Sequence, residues 1–174
     1  TGTLTQGVVQ LDGALDVNGE PSVQVNLYAF LNAKLQTGMR NPLDEAIVGK
    51  GASGAEEYAK VDEVPYDFIR KRLSVVVQRQ GAAPQMITKG ALENILACCS
   101  RMQNGDGEQA LDKPQLAAIE TRYEGWSAQG YRVLGVAVKS VDRQEHPFAA
   151  ADEANMAFAG FLLFFDPPKD GVQA

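Results

Sequence analysis

The sequence predicts an α+β domain, a mainly antiparallel twisted sheet flanked by helices, and three observations carry that prediction. Several short segments alternate or run continuously in apolar residues between turn residues, as strands do, while others repeat apolar residues at three-and-four spacing, as helices do. The segments follow one another as strands, helices, strands, helix and two strands, which fits helices packed on an antiparallel sheet better than a regular βαβ alternation. The chain has 174 residues, 45% of them hydrophobic, enough for one domain with its own core.

Residues 8–11 and 14–17 read as short strands closed by the tight-turn dipeptides Asp12-Gly13 and Asn18-Gly19, which together predict a hairpin. Ser22 is placed to cap a helix with Val23, Leu27, Phe30, Leu31 and Leu35 on one stripe and Gly38 as its stop. Asn41-Pro42 starts a second helix, with a capping side chain followed by a proline in the first turn, where a missing N–H costs nothing. Residues 49–57, GKGASGAEE, read as a surface linker, since their glycines and lysine lack the order of a phosphate-cradling P-loop.

Residues 60–66 and 73–79 are strand-like, a turn at 81–84 leads to a strand over 85–89, and Gly90-Ala91 opens a helix carrying Leu92, Ile95, Leu96 and Cys99. The run NGDGE at 104–108 predicts an exposed turn, too short to close a calcium site. Residues 114–129 carry Leu116, Ile119, Tyr123 and Trp126 at helical spacing and end at Gly130, which assigns Trp126 to the core. Residues 131–138 and 156–165 are the last strands, linked by a polar stretch at 142–152 that holds His146, read as a surface histidine.

A formal net charge of −6 argues against nucleic acid as a partner, because nonspecific phosphate binding needs a basic face. The longest apolar run, FAGFLLFF at 158–165, falls far below the roughly 18 to 20 residues of a membrane span, so no direct membrane insertion is expected. No basic segment followed by an apolar stretch marks a signal peptide, and the expected compartment is reducing and cytosolic. The two cysteines, Cys98 and Cys99, are adjacent, which suits neither a redox pair nor a zinc site; they read as buried small residues on a helix.

The sequence holds no complete catalytic constellation: one loop histidine and no G-x-S-x-G elbow rule against a serine triad. Four polar or aromatic signals remain at element ends, in VPYDFIRKRLSV (64–75), TKGALE (88–93), GYRVLGVA (130–137) and NPLDEA (41–46). Singly, each reads as ordinary structure: a solvated basic turn at 69–72, a strand exit at Lys89-Gly90, an exposed sheet position at Arg132 and a helix first-turn carboxylate at Asp44. Together they make the components of a nucleotide pocket, namely an aromatic face for a base, a carboxylate for its amino edge and cations for phosphates.

TGTLTQ, PYDFIRKRLSVVV, KGALE, GYRVLGVA and DPPKD occur in the order found in the large cytoplasmic loop of P-type cation-transporting ATPases, and the chain resembles that family's nucleotide-binding domain from end to end. QTG and NPLDEA resemble the bacterial magnesium-transporting branch. The resemblance implies that Tyr66, where phenylalanine is commoner, stacks on adenine, and that Lys89 lies at the pocket floor with Gly90 and Ala91 admitting the ligand. It also implies that Arg132 meets the phosphate end of the nucleotide and that Arg70 and Lys71 form a basic rim, spacing leaving open which of the two reaches phosphate. Asp44, followed by Glu45, stands where the family has a glutamate near the adenine amino group.

By the same resemblance the ligands are ATP and the Mg2+ that accompanies it, and the partners are the phosphorylation and actuator domains of one longer chain. That chain would be an integral protein of a bacterial inner or plasma membrane with this segment in a cytoplasmic loop. The phosphorylated aspartate of D-K-T-G-T would stand two residues before Thr1, and the metal-positioning T-G-D and G-D-G-V-N-D segments have no counterpart here, Gly105-Asp106-Gly107 being too early and wrongly flanked. The expected division is a hinge stub at 1–7, a nucleotide-binding domain at 8–165 and a return hinge at 166–174, a module that binds ATP weakly without hydrolysing it. Two other readings stay open, a fragment of a haloacid-dehalogenase-type hydrolase and a structural domain that has lost nucleotide binding.

Overall fold

The computed structural model describes residues 9–105 and 107–165; the motifs TGTLTQ and DPPKD, with both expected hinge stubs, lie outside them. The described elements are β1 (Gln10–Asp16), α1 (Val23–Leu35), α2 (Pro42–Lys50), β2 (Tyr58–Asp67), β3 (Arg72–Arg79), β4 (Gln85–Ala91), α3 (Leu92–Leu96), β5 (Cys99–Asn104), β6 (Gly107–Ala110), α4 (Lys113–Ala128), β7 (Tyr131–Ser140) and β8 (Met156–Phe165). The strands form one open sheet in the order β2-β3-β4-β7-β8-β5-β6. All described pairings are antiparallel except β5 with β8. The predicted α+β class with a mainly antiparallel sheet is the observed one.

The most apolar segment of the sequence becomes the centre of this sheet. β8 pairs with β7 along one edge, while its other edge is shared by β5 at residues 156–158 and β1 at residues 160–165. Flanked on both edges and covered on both faces, it is buried along its whole length except at Phe165. Gly160 permits the close approach of β1: a Cβ there would lie 2.0 Å from the Leu15 carbonyl oxygen.

Each face of the sheet carries its own core. On one, Leu31 of α1 and Ile47 of α2 pack over Val75, Ile87, Val136, Leu162 and Phe164. On the other, Ile95 of α3 and Ile119 of α4 pack over Val76, Met86, Met156, Phe158 and Phe161. Burying each such side chain is worth about 1.5 to 3 kcal/mol relative to exposure. Trp126 stands edge-on to Phe161 with ring centroids 4.8 Å apart, in keeping with its predicted place in the core. His146 is an exposed surface residue, as expected, 3.5 Å from the Asp62 carboxylate.

The predicted N-terminal hairpin is corrected to a single strand. β1 runs through Asp12-Gly13, which forms an irregularity between Leu11 and Gly13 where β1 meets β8. The long edge of β8 outbids the local turn preference, and glycine serves a bulge as readily as a turn. Asn18-Gly19 does turn, with Gly19 at φ 85 and the Asp16 carboxylate accepting the amides of Asn18 and Glu20 at 2.9 and 3.0 Å.

Ser22 caps α1, accepting the Val25 amide at 3.1 Å, and Asn41 caps α2, accepting the Asp44 amide at 2.8 Å. The buried face of α1 is Val25, Tyr28, Ala29, Leu31, Asn32 and Ala33, whereas Val23, on the predicted stripe, is 79% exposed. Asn32 is buried because its amide donates to the carbonyls of Leu73 and Ile87, at 3.3 and 2.9 Å. α1 closes on Gln36 in extended conformation, so Gly38 lies beyond the helix end rather than stopping it.

The helix predicted to reach Cys99 ends at Leu96, and the cysteines are not helical: Cys98 is buried in the turn that follows, and half-buried Cys99 opens β5. Hydrogen bonding to Cys98 and burial push the Cys99 thiol well above its ordinary range. β5 and β6, joined at the predicted exposed turn, are strands that the sequence reading lacks.

Candidate functional site

The segment Tyr66 to Arg72 folds as an ordered turn between β2 and β3 because Asp67 organises its backbone. The Asp67 carboxylate accepts the amides of Ile69 at 2.6 Å and Arg70 at 3.2 Å, and its carbonyl accepts the Lys71 amide at 2.6 Å. Those amides, first Ile69 and then Arg70, hold the Asp67 carboxyl below its ordinary value. Lys71 takes the left-handed conformation at φ 55, a strained region for a residue with a side chain.

What this turn shows to solvent is aromatic and apolar. Tyr66 is 47% exposed and stands edge-on to Phe68 at 5.4 Å, while Phe68 and Ile69 are 85% and 88% exposed. The Lys71 side chain is exposed. Arg70 turns inward: its guanidinium donates through Nε and Nη2 to the two oxygens of buried Glu153, at 2.8 and 3.1 Å, and its pKa is raised by that bond.

The turn packs on β4 beside Lys89 and Gly90. Arg72 pairs with Gly90 and Leu73 with Lys89, and the Ala91 amide donates to the Lys71 carbonyl at 3.2 Å. Glycine is required at this contact, since a Cβ on Gly90 would sit 2.2 Å from the Lys71 carbonyl oxygen and 2.7 Å from Arg72 Cα.

Lys89 and Asp44, placed separately by sequence reasoning, meet in the structure. The ammonium donates to Asp44 Oδ1 at 2.8 Å, with side chains only 4% and 3% exposed. Asp44 lies in the first turn of α2, where the helix dipole favours a carboxylate. A buried pair of this kind offsets much of its desolvation cost by mutual attraction, and breaking it by removing one partner would leave an uncompensated buried charge.

Arg132 is exposed on β7, two residues before Leu134, the pairing partner of Ala91. It also lines a groove of about 820 Å³ between α3, α4 and β7, together with Glu93, Leu96, Leu116 and Tyr123. Of the other residues that the resemblance assigns to the pocket, Ala91 alone borders that groove. The structure joins Asp44 to Lys89 directly and brings the backbone of the Tyr66 to Arg72 turn against Gly90 and Ala91, while the Arg70 side chain goes to Glu153 and Arg132 stands at the neighbouring strand end.

Sequence reasoning missed Glu153, Arg72, Ser74 and Thr88, a network that holds the turn from the sheet face opposite Lys89. The signal available was faint: Ser74 and Thr88 are polar residues in otherwise apolar strands, and buried hydroxyls need partners. No described group of three or more His, Cys, Asp or Glu side chains could hold a metal ion. The carboxylates nearest the turn are already committed, Asp44 to Lys89 and Asp67 to backbone amides and Arg70, so this donor set does not fit a resident Mg2+.

An open, mostly antiparallel sheet with a helical layer on each face, and this turn at one end of it, is the α+β architecture that the sequence resemblance implies. A family model described as the P-type ATPase cytoplasmic domain N matches residues 29–171, and the chain belongs to that family. It is 37% identical over 175 residues to magnesium-transporting ATPase, P-type 1, of Escherichia coli K12, the match covering 98% of this chain and 20% of that protein. The Salmonella typhimurium protein of the same name is 36% identical, with 98% and 19% covered. Potassium-transporting ATPase alpha chain 2 of Cavia porcellus is 31% identical over 139 residues, 74% of this chain and 14% of that protein. The chain thus spans about a fifth of the length of the bacterial relatives it matches.

Proposed function

We propose that this domain holds ATP for a magnesium-transporting P-type ATPase and presents the γ-phosphate to an aspartate of the phosphorylation domain. Support for the ion comes from the names of the bacterial relatives, which match nearly the whole chain. Adenine would stack on Tyr66, whose half-exposed ring offers a flat apolar face at the edge of the turn. Lys71, exposed on the same turn, would meet phosphate as a point charge, whereas Arg70 is committed to Glu153.

Lys89, with further N–H donors beyond the one given to Asp44, would form the polar floor, and the missing side chain at Gly90 lets the turn close onto it. Arg132 would face the phosphate end and the adjoining domain. Mg2+ would arrive with the nucleotide and supply charge neutralisation for the phosphates. The domain itself binds and orients, and the chemistry of phosphoryl transfer falls to the phosphorylation domain. The actuator domain would be the second internal partner, the chain segments at 1–7 and 166–174 would be the hinges, and the setting would be a cytoplasmic loop of a bacterial membrane protein. No described helix is long and apolar enough to cross a membrane.

The observation that carries this reading is the turn that exposes Tyr66 and Lys71 while packing directly on Lys89-Gly90-Ala91. Calorimetric titration of the chain with ATP tests it: weak saturable binding without phosphate release is expected, and no binding at millimolar ATP would overturn it. One observation favours a second reading, a structural domain without nucleotide binding: Lys89 and Asp44 already satisfy one another. The same titration separates the two.

A further inference from the structure

Glu153 lies outside every motif that identified the family, on the segment leading into β8, yet its side chain is completely buried. Four donors converge on its carboxylate. Oε1 accepts from Arg70 Nε at 2.8 Å and Arg72 Nε at 3.0 Å; Oε2 accepts from Arg70 Nη2 at 3.1 Å and the Ser74 hydroxyl at 2.5 Å. The network extends outward from there. Arg72 donates to the Asn94 carbonyl at 2.9 Å, and Ser74 shares a 2.6 Å hydroxyl contact with Thr88. One carboxylate therefore ties the Tyr66 to Arg72 turn to α3 and β4 from about eighty residues away in sequence.

The two arginines held by Glu153 flank Lys71. With both neighbours drawn inward, the backbone between them passes through the left-handed conformation and the Lys71 side chain faces out. Arg70 is further matched by Asp67 at 3.4 Å, so among the described residues the charges of both arginines are answered by carboxylates, whereas Lys71 pairs with none.

We propose that Glu153 is a positioning residue of the nucleotide site: by holding Arg70 and Arg72 inside the fold, it fixes Lys71 as the phosphate-facing cation of the turn. This rests on the nucleotide reading above. Removing the charge at Glu153 takes away the carboxylate that both guanidiniums share, leaving Arg70 on Asp67 and nearby carbonyls and Arg72 on the Asn94 carbonyl; the turn loosens and Arg70 can swing toward phosphate in place of Lys71. The role is indirect, acting through Lys71, and that makes it separable from simple stabilisation.

The test is a double-mutant cycle on ATP affinity with Lys71→Ala, Glu153→Gln and the pair, joined to amide spectra recorded without nucleotide. Lys71→Ala is expected to weaken ATP binding several-fold in the wild-type background and to have little further effect in Glu153→Gln, because the lysine is already misplaced there. Without ligand, Glu153→Gln should shift the Lys71 amide and strip exchange protection from the Ala91 amide, while Val136 and Leu162 in the sheet centre keep theirs. Additive effects on affinity, or an unmoved Ala91 amide, would overturn the inference alone. A wild-type chain that binds no ATP would overturn the nucleotide reading and the inference together. If Glu153→Gln fails to fold, Arg70→Lys replaces it, keeping the charge but losing the two-pronged bond, and the same non-additivity with Lys71→Ala is expected.

Discussion

Substituting Gly90→Ala attacks the closest backbone contact between the Tyr66 to Arg72 turn and the sheet. The added methyl would stand 2.2 Å from the Lys71 carbonyl oxygen and 2.7 Å from both Cα and Cβ of Arg72. These are mainly backbone atoms, so no side-chain rotation relieves the overlap, and the turn must lift by roughly 1 Å to reach even a tight van der Waals separation. Overpacking of this kind costs about 1 to 3 kcal/mol, and loss of the hydrogen bond from the Ala91 amide to the Lys71 carbonyl adds about 1 kcal/mol. Reduced freedom of the unfolded chain returns some 0.4 to 1 kcal/mol. The expected net destabilisation is about 1 to 3.5 kcal/mol, a fall in Tm on the order of 2 to 14 °C for a chain of this size. Urea unfolding of Gly90→Ala beside Gly49→Ala checks this, since a Cβ on Gly49 near the end of α2 would meet nothing within 4 Å. Gly49→Ala should be neutral or stabilising by up to about 1 kcal/mol. A Gly90→Ala chain within 0.5 kcal/mol of wild type, with unchanged ATP affinity, would refute the close-packing argument; that threshold is roughly the spread seen for neutral surface changes.

Three further outcomes follow from the same geometry. Tyr66→Ala should weaken ATP binding by about 2- to 10-fold, the equivalent of about 0.5 to 1.5 kcal/mol of stacking, whereas His146→Ala should leave it unchanged; equal affinities for the two variants would count against the stacking role. Burial alone would raise the Glu63 carboxyl, but hydrogen bonds from Lys60 and from the amide and hydroxyl of Thr37 outweigh it and hold it below its ordinary value of 4.5. A carboxyl lowered on folding contributes stability present above that value and lost as pH falls through the folded-state pKa, so denaturation midpoints should drop below about pH 4.5 and Glu63→Gln should flatten part of that fall. Truncating Phe161, fully buried beneath Trp126, should cost about 3 to 5 kcal/mol and quench-shift the tryptophan emission, and a smaller loss with unaltered emission would argue against the edge-on pair.

What could be read in advance divides along physical lines. Ser22 and Asn41 signalled helix starts correctly because a cap is a local hydrogen bond between neighbours in sequence. Asp12-Gly13 misled because its local turn preference competes with pairing to β8, a strand nearly 150 residues away along the chain. β5 and β6 escaped notice because Cys99 and Met102 do not alternate strongly, and β6 is a short, largely exposed edge strand. In the site, Tyr66, Lys89 and Gly90 were visible as motif residues, but the direct Lys89 to Asp44 bond joins positions 45 apart, and only the packing of α2 beside β4 brings them together. Glu153 was invisible for the same reason: nothing in its local sequence distinguishes this buried carboxylate holding two arginines from the half-buried Asp152 beside it.

In the proposed function the Tyr66 to Arg72 turn and the Lys89-Gly90 floor together receive ATP. Amide shift mapping during an ATP titration of the isotope-labelled chain tests it most directly. Saturable shifts clustered at Tyr66, Lys71, Lys89, Gly90 and Arg132, with the β5–β6 hairpin unmoved, are expected; shifts absent from that cluster, or confined to the groove between α3 and α4, would rule the reading out.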